Sequence, residues 1–113
     1  MKYVMFYCVD DSVELEPEQL EEFNRELRAW CQELDRRGVR LRGRQLAPAS
    51  AATTVRVREG EVMIADGPFV ETKEFIAGFD VLECADLDEA VALVARNPAA
   101  RFDTIELRPV VED

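Results

Sequence analysis

Asp66-Gly67-Pro68-Phe69-Val70-Glu71-Thr72-Lys73-Glu74 is the stretch from which the rest of the chain can be read. Pro68 has no N–H and pushes Gly67 away from helical geometry, so neither a helix nor a strand ladder runs through it. An alternating apolar pattern ends at Asp66, and a second strand pattern starts at Phe75. The stretch is therefore a loop between two strands. Asp66 is expected to fold its carboxylate onto nearby backbone N–H groups, and Phe69 to anchor the loop by burying its ring. A well-specified structural loop is the favoured reading. The functional reading is that Asp66, Glu71 and Lys73 line a pocket, where mixed charges held close together poise one carboxylate as an acid or base.

Immediately upstream, Thr53 to Arg58 and Glu61 to Asp66 alternate as a hairpin around Glu59-Gly60. Glu-Gly is a weaker turn signal than Asn-Gly, and a bulged type I turn is expected. Before the hairpin, Val39 to Leu46 reads as a strand with Arg40, Arg42 and Arg44 on one face and Leu41 and Gly43 on the other. Leu46 falls out of phase, placing a bulge or strand end nearby. The three arginines would pair with this chain's acids, or grip an anionic ligand.

At the start, Tyr3 to Val9 is a strand apolar in both phases. Such a strand is covered on both faces. Leu20, Phe23, Leu27, Trp30, Cys31 and Leu34 then follow helical spacing. Pro17 suits the first turn, Glu16, Glu18, Glu21 and Glu22 crowd the start, and Arg36-Arg37-Gly38 closes the end. Downstream of the loop, Phe75 to Cys84 is a strand in which Asp80 stands between Phe79 and Val81. Asp86 and Glu89 form a capping-box-like pair for a second helix, which Asn97-Pro98 stops. Phe102 to Val111 is the last strand.

The order is βαββαβ with an inserted β-hairpin: an α+β fold, an antiparallel sheet with two helices on one face. At 113 residues, 48% of them apolar, a single domain spanning residues 1–113 is expected. The other sheet face is left bare, and a homodimer is the simplest cover for it.

Fourteen Lys and Arg stand against 24 Asp and Glu, a net charge of −10. A surface of that sign repels phosphate backbones, so no nucleic-acid partner is expected. No apolar run reaches membrane-spanning length and the opening residues enter a strand directly, so a cytoplasmic protein without a membrane partner is expected. There is no His, which excludes His-based triads and imidazole acid–base chemistry. Cys8, Cys31 and Cys84 lie far apart among apolar neighbours. They read as small buried hydrophobes, and no metal and no cofactor are expected.

An ordered series of stretches resembles the YCII-related proteins that carry a DGPF motif. The stretches are Met1-Lys2-Tyr3; Gly38-Val39 with Leu46-Ala47-Pro48; Ala52-Thr53-Thr54-Val55-Arg56; the opening stretch; Gly78-Phe79; Ala85 to Ala90; and Ile105-Glu106-Leu107-Arg108-Pro109. The resemblance covers nearly the whole chain. It implies a ferredoxin-like fold assembled as a dimeric α/β barrel, similar to muconolactone isomerase-like proteins. Some relatives carry a His–Asp pair proposed to be catalytic, and this chain has no His to supply it. Asn97 stands where relatives often show His or Cys. Family members often lie beside alternative sigma factors, which points to regulation.

Two functions follow. One is a homodimeric module that binds a small anionic ligand or a protein partner, with Arg42, Arg44, Glu71, Lys73 and Asp80 as binding groups. The other is an isomerase- or lyase-like enzyme with Asp66 as catalytic acid–base in an inter-subunit cleft. Glu71 or Asp80 would stand behind it, and Lys73 or Arg44 would stabilise an enolate-like charge. A carboxylate base would need burial that raises its pKa by about two units. Tyr3 and Tyr7 offer a proton donor, though core or interface packing is the simpler role for both.

Overall fold

A computed structural model describes residues 1–10, 12–69 and 74–112. Six strands and three helices follow in the order β1 (Lys2–Asp10), α1 (Pro17–Arg36), β2 (Arg40–Gln45), β3 (Thr53–Arg58), β4 (Glu61–Asp66), β5 (Glu74–Glu83), α2 (Leu87–Val94), α3 (Ala99–Phe102) and β6 (Thr104–Pro109). The main sheet has the order β2-β5-β1-β6, antiparallel at every pairing. This is the ferredoxin-like α+β arrangement, with β3 and β4 set apart as a two-stranded sheet. The one helix that periodicity did not separate is α3, which starts after Pro98 because proline tolerates the first turn. Phe102 therefore ends a helix and does not open β6.

Register assigns the faces. Tyr3 pairs with Leu82 and Pro109, Met5 with Asp80 and Leu107, and Tyr7 with Gly78 and Ile105. This face meets the helices: Tyr3, Met5 and Leu82 share a core with Trp30 and Leu34 of α1 and Ala90, Leu93 and Val94 of α2. Met5, Leu34 and Leu82 are fully buried, each a contribution of roughly 1.5–3 kcal/mol. The Trp30 indole N–H donates to the Leu93 carbonyl at 2.9 Å, tying α1 to the end of α2. Val4, Phe6 and Cys8 of β1 point to the other face, beside Val81, Phe79 and Ile76 of β5. They are half-buried apart from the exposed Ile76.

The helix ends follow their sequence signals. The Gln19 side chain accepts from the Glu16 N–H at 3.0 Å. Gly38 has φ +72°, letting Val39 N–H reach back to the Leu34 carbonyl at 2.9 Å. Leu20, placed on the apolar stripe by its spacing, is 47% exposed, so the first turn of α1 overhangs the sheet.

Two local expectations are corrected. Arg58 pairs with Glu61, and the two residues between them, Glu59 and Gly60, both have positive φ. The tip is a two-residue type I′ turn, which matches the strand twist better than the bulged type I turn expected from Glu-Gly. Phe69 does not bury its ring: it is 69% exposed, and the Arg56 guanidinium sits 4.7 Å above it. The hairpin root is fastened by backbone, with Gly67 N–H donating to the Ala52 carbonyl at 2.7 Å and Thr54 Oγ1 to the Gly67 carbonyl at 2.9 Å. Beyond its root the hairpin scarcely touches the body. The radius of gyration is correspondingly large, 16.2 Å against about 13 Å for a compact chain of this length.

The Asp86 carboxylate accepts from the Glu89 N–H at 2.9 Å and caps α2. Asp86→Ala should lower stability by about 1 kcal/mol, read as an earlier urea midpoint with an unchanged slope in circular dichroism.

Candidate functional site

Glu71 and Lys73 lie outside the described residues. Asp66 ends β4 and is exposed. Arg42 and Arg44 are exposed on β2, while Asp80 on β5 is only 2% exposed. Of the four that are described, Arg44 and Asp80 line one cleft, and Arg42 and Asp66 do not. Asp80 is the one that leads to a built site, through partners that carried lesser roles in the sequence reading.

The face expected of the three arginines divides. Arg40 pairs with Leu82 and Arg42 with Val81, so Leu41 is bulged out between them. The bulge flips the alternation. Arg40 turns to the helix face, and Arg42 and Arg44 stay on the open one. Gly43, opposite Asp80, also faces the helices and is buried.

Arg40 Nε donates to Asp80 Oδ1 at 2.8 Å, and Arg40 Nη1 donates to both Asp35 oxygens at 2.9 and 3.1 Å. The Tyr7 hydroxyl donates to Asp80 Oδ2 at 2.6 Å. Asn97 Nδ2 donates to the Tyr7 oxygen at 3.0 Å, and Asn97 Oδ1 accepts from the Ala99 N–H at 2.8 Å. Every buried side-chain polar atom among the described residues has a partner. Gly43 is required here: a Cβ at that position would stand 1.8 Å from Asp80 Oδ1 and 2.5 Å from Arg40 Nη2. A hydrogen is all that fits beside the Arg40–Asp80 pair.

This network floors a cleft of about 450 Å³ between α1 and the β2 side of the sheet. Val9, Phe23, Leu27 and Ala99 contribute apolar walls, and Arg44, Gln45 and Asp103 border it. Arg44 Nη1 donates to the neighbouring Gly43 carbonyl at 2.8 Å, which leaves most of its five N–H groups for other acceptors.

The electrostatics hold the floor in fixed protonation states. Burial, then the hydrogen bond to Asp80 and that residue's charge, push Tyr7 ionisation far above its ordinary 10.0, against a smaller opposing effect from Asn97. Burial works against the Arg40 charge, but its bonds to Asp35 and Asp80 outweigh this and raise its pKa. Tyr7 is thus neutral and Arg40 charged at neutral pH. Burial also raises the Cys8, Cys31 and Cys84 thiols above 9.0, so none is a ready thiolate. Asp103 is raised above 3.8 by its burial and then by the Asp10 and Glu74 charges.

Arg40→Ala leaves the Asp80 charge buried with one oxygen unpaired and should cost roughly 3–5 kcal/mol. Tyr7→Phe removes a neutral partner and should cost roughly 1–3 kcal/mol. Chemical denaturation at pH 7 ranks the two. For Asp103 the folded pKa lies above the unfolded one. Its contribution to folding is complete below 3.8 and is lost as pH rises through the folded value. Asp103→Asn should therefore raise the thermal midpoint at pH 7, with the gain fading as pH falls through the carboxylate range.

An uncharacterized protein of Rhizobium meliloti (strain 1021) is 43% identical over 68 residues, 58% of this chain. The chain spans about half of that relative's length, 55%. Residues 1–112 match the YCII-related domain, and the chain belongs to that family.

Proposed function

We propose that this chain is a homodimeric binding module that takes a small, largely apolar ligand with an anionic end into the cleft between α1 and the sheet. The observation that carries this reading is the cleft itself. It joins apolar walls to a hydrogen-bonded floor, and Arg44 of the edge strand β2 is among its lining residues. Concave, mostly apolar sites with a few placed polar groups are what small-molecule binding requires. A carboxylate on the ligand would meet Arg44, and its apolar body would lie along Phe23 and Leu27.

Binding is favoured over catalysis because the floor offers no free base. Both Asp80 oxygens accept hydrogen bonds, Tyr7 keeps its proton, and Arg40 is a fixed charge. The alternative that uses Asp66 as acid–base would need a second subunit to bury it, since within one chain it is exposed. The open face carrying Val4, Phe6, Phe79 and Val81 supports the homodimer. No helix among the described residues is long and apolar enough to cross a membrane.

The test is a titration with benzoate and hexanoate, followed by amide chemical shifts. Saturable changes should gather at Phe23, Cys31 and Gly78, and Arg44→Ala should weaken them about tenfold, the loss of one charge-assisted contact. Shifts that are absent, or scattered over the surface and indifferent to Arg44→Ala, would sink the reading.

A further inference from the structure

Beyond the Thr53–Asp66 pair at its root, the hairpin of β3 and β4 presents an aliphatic face to solvent. Val55 pairs with Ile64 and Val57 with Val62, so these four side chains share a side of the ribbon. They are 60%, 68%, 56% and 65% exposed, respectively. The opposite side carries Arg56, Met63, Arg58 and Glu61, with Phe69 stacked under Arg56. A lone two-stranded ribbon is marginal in water, and one that leaves its aliphatic face wet gains little from apolar burial.

We propose that this hairpin is an arm whose Val55, Val57, Val62 and Ile64 face packs on a second copy of this chain. Three observations choose that occupant. First, a fully buried aliphatic side chain hides on the order of 100 Å², so the arm offers roughly 250 Å². A standard interface takes about 800 Å² per partner, so the arm must extend a larger contact. Second, the larger contact adjoins it. A groove at the arm's root, lined by Pro48, Ala51, Ala52, Pro68, Phe75 and Ile76, runs from the hairpin to the sheet. Ile76 belongs to the open sheet face with Phe6 and Phe79. The groove thus joins the arm's root to the open sheet face, and a two-fold axis would bring arm and sheet face of both copies into contact at once. Third, residues 53–66 carry two arginines against three acids, a net −1 of the chain's −10. The arm is nearly neutral on a strongly acidic molecule, and depletion of charge is what interface cores show.

The arm rests on the sheet-face homodimer of the proposed function, and the test separates the two. Sedimentation equilibrium gives the oligomeric state, and amide hydrogen exchange along β3 and β4 is followed through a dilution series. The expected result is a dimer in which the β3 and β4 amides are protected and lose protection as the dimer dissociates. Val55→Thr with Ile64→Thr keeps strand propensity and should weaken the dimer at least tenfold with the circular dichroism unchanged. A dimer whose arm amides exchange at unprotected rates at every concentration overturns the arm and leaves the homodimer standing. A monomer at 100 µM protein overturns both. The exchange readout on the unaltered chain decides the matter even if the double variant folds poorly.

Discussion

Everything around the cleft depends on one buried carboxylate. Asp80 sits in the second strand of the sheet with almost no contact with water, and a lone charge there would be prohibitively costly. Its cost is offset by a charged donor on one oxygen and a neutral donor on the other. Those donors come from β2 and β1, and each is held in turn, Arg40 by Asp35 at the end of α1 and Tyr7 by Asn97 beyond α2. One charge therefore fixes the relative positions of three strands and two helix ends. A hydrophobic residue in its place would have held the layers together without dictating which side chains meet.

The sequence was legible where periodicity and end signals were strong. The strand and helix order, the glycine that ends α1, the cap of α2 and the hairpin all follow from spacing and elementary stereochemistry. What it concealed was produced by single-residue slips. The bulge at Leu41 cannot be seen in an alternation that reads Arg40, Arg42, Arg44 without a break, yet it decides which arginine meets Asp80. Asn97 looked like the loss of a reactive group. It proves to be a donor to Tyr7, placed there because Pro98 and α3 turn the chain back over the sheet. Phe69 misled because an aromatic in a tight loop usually buries, whereas here Arg56 covers its face.

Asp66 heads the DGPF motif, and Asp80 lies in a strand with no motif around it. The structure gives the motif aspartate to the exposed root of the hairpin, and Asp80, singled out in its strand between Phe79 and Val81, to the cleft floor. A family signature marks what the fold repeats, in this case a loop with Gly67 at φ +91°, stitched to Ala52 and Thr54. The chemistry of this chain is better sought where it departs from pattern: an acid in a core strand and a glycine with no room for a methyl group.

The hydrogen bonds of Asp80 and its neighbours span 40, 73 and 90 residues of chain. Each closes a long loop, and the loop entropy is spent before the bond returns anything. These contacts therefore belong to the last stage of the chain's assembly, after the local turns and α1 have formed. Interactions absent from the transition state act on the rate of unfolding and scarcely on the rate of folding. The same four residues, Arg40, Asp80, Tyr7 and Asn97, thus serve as a latch in time, setting how long the folded molecule persists once it has formed.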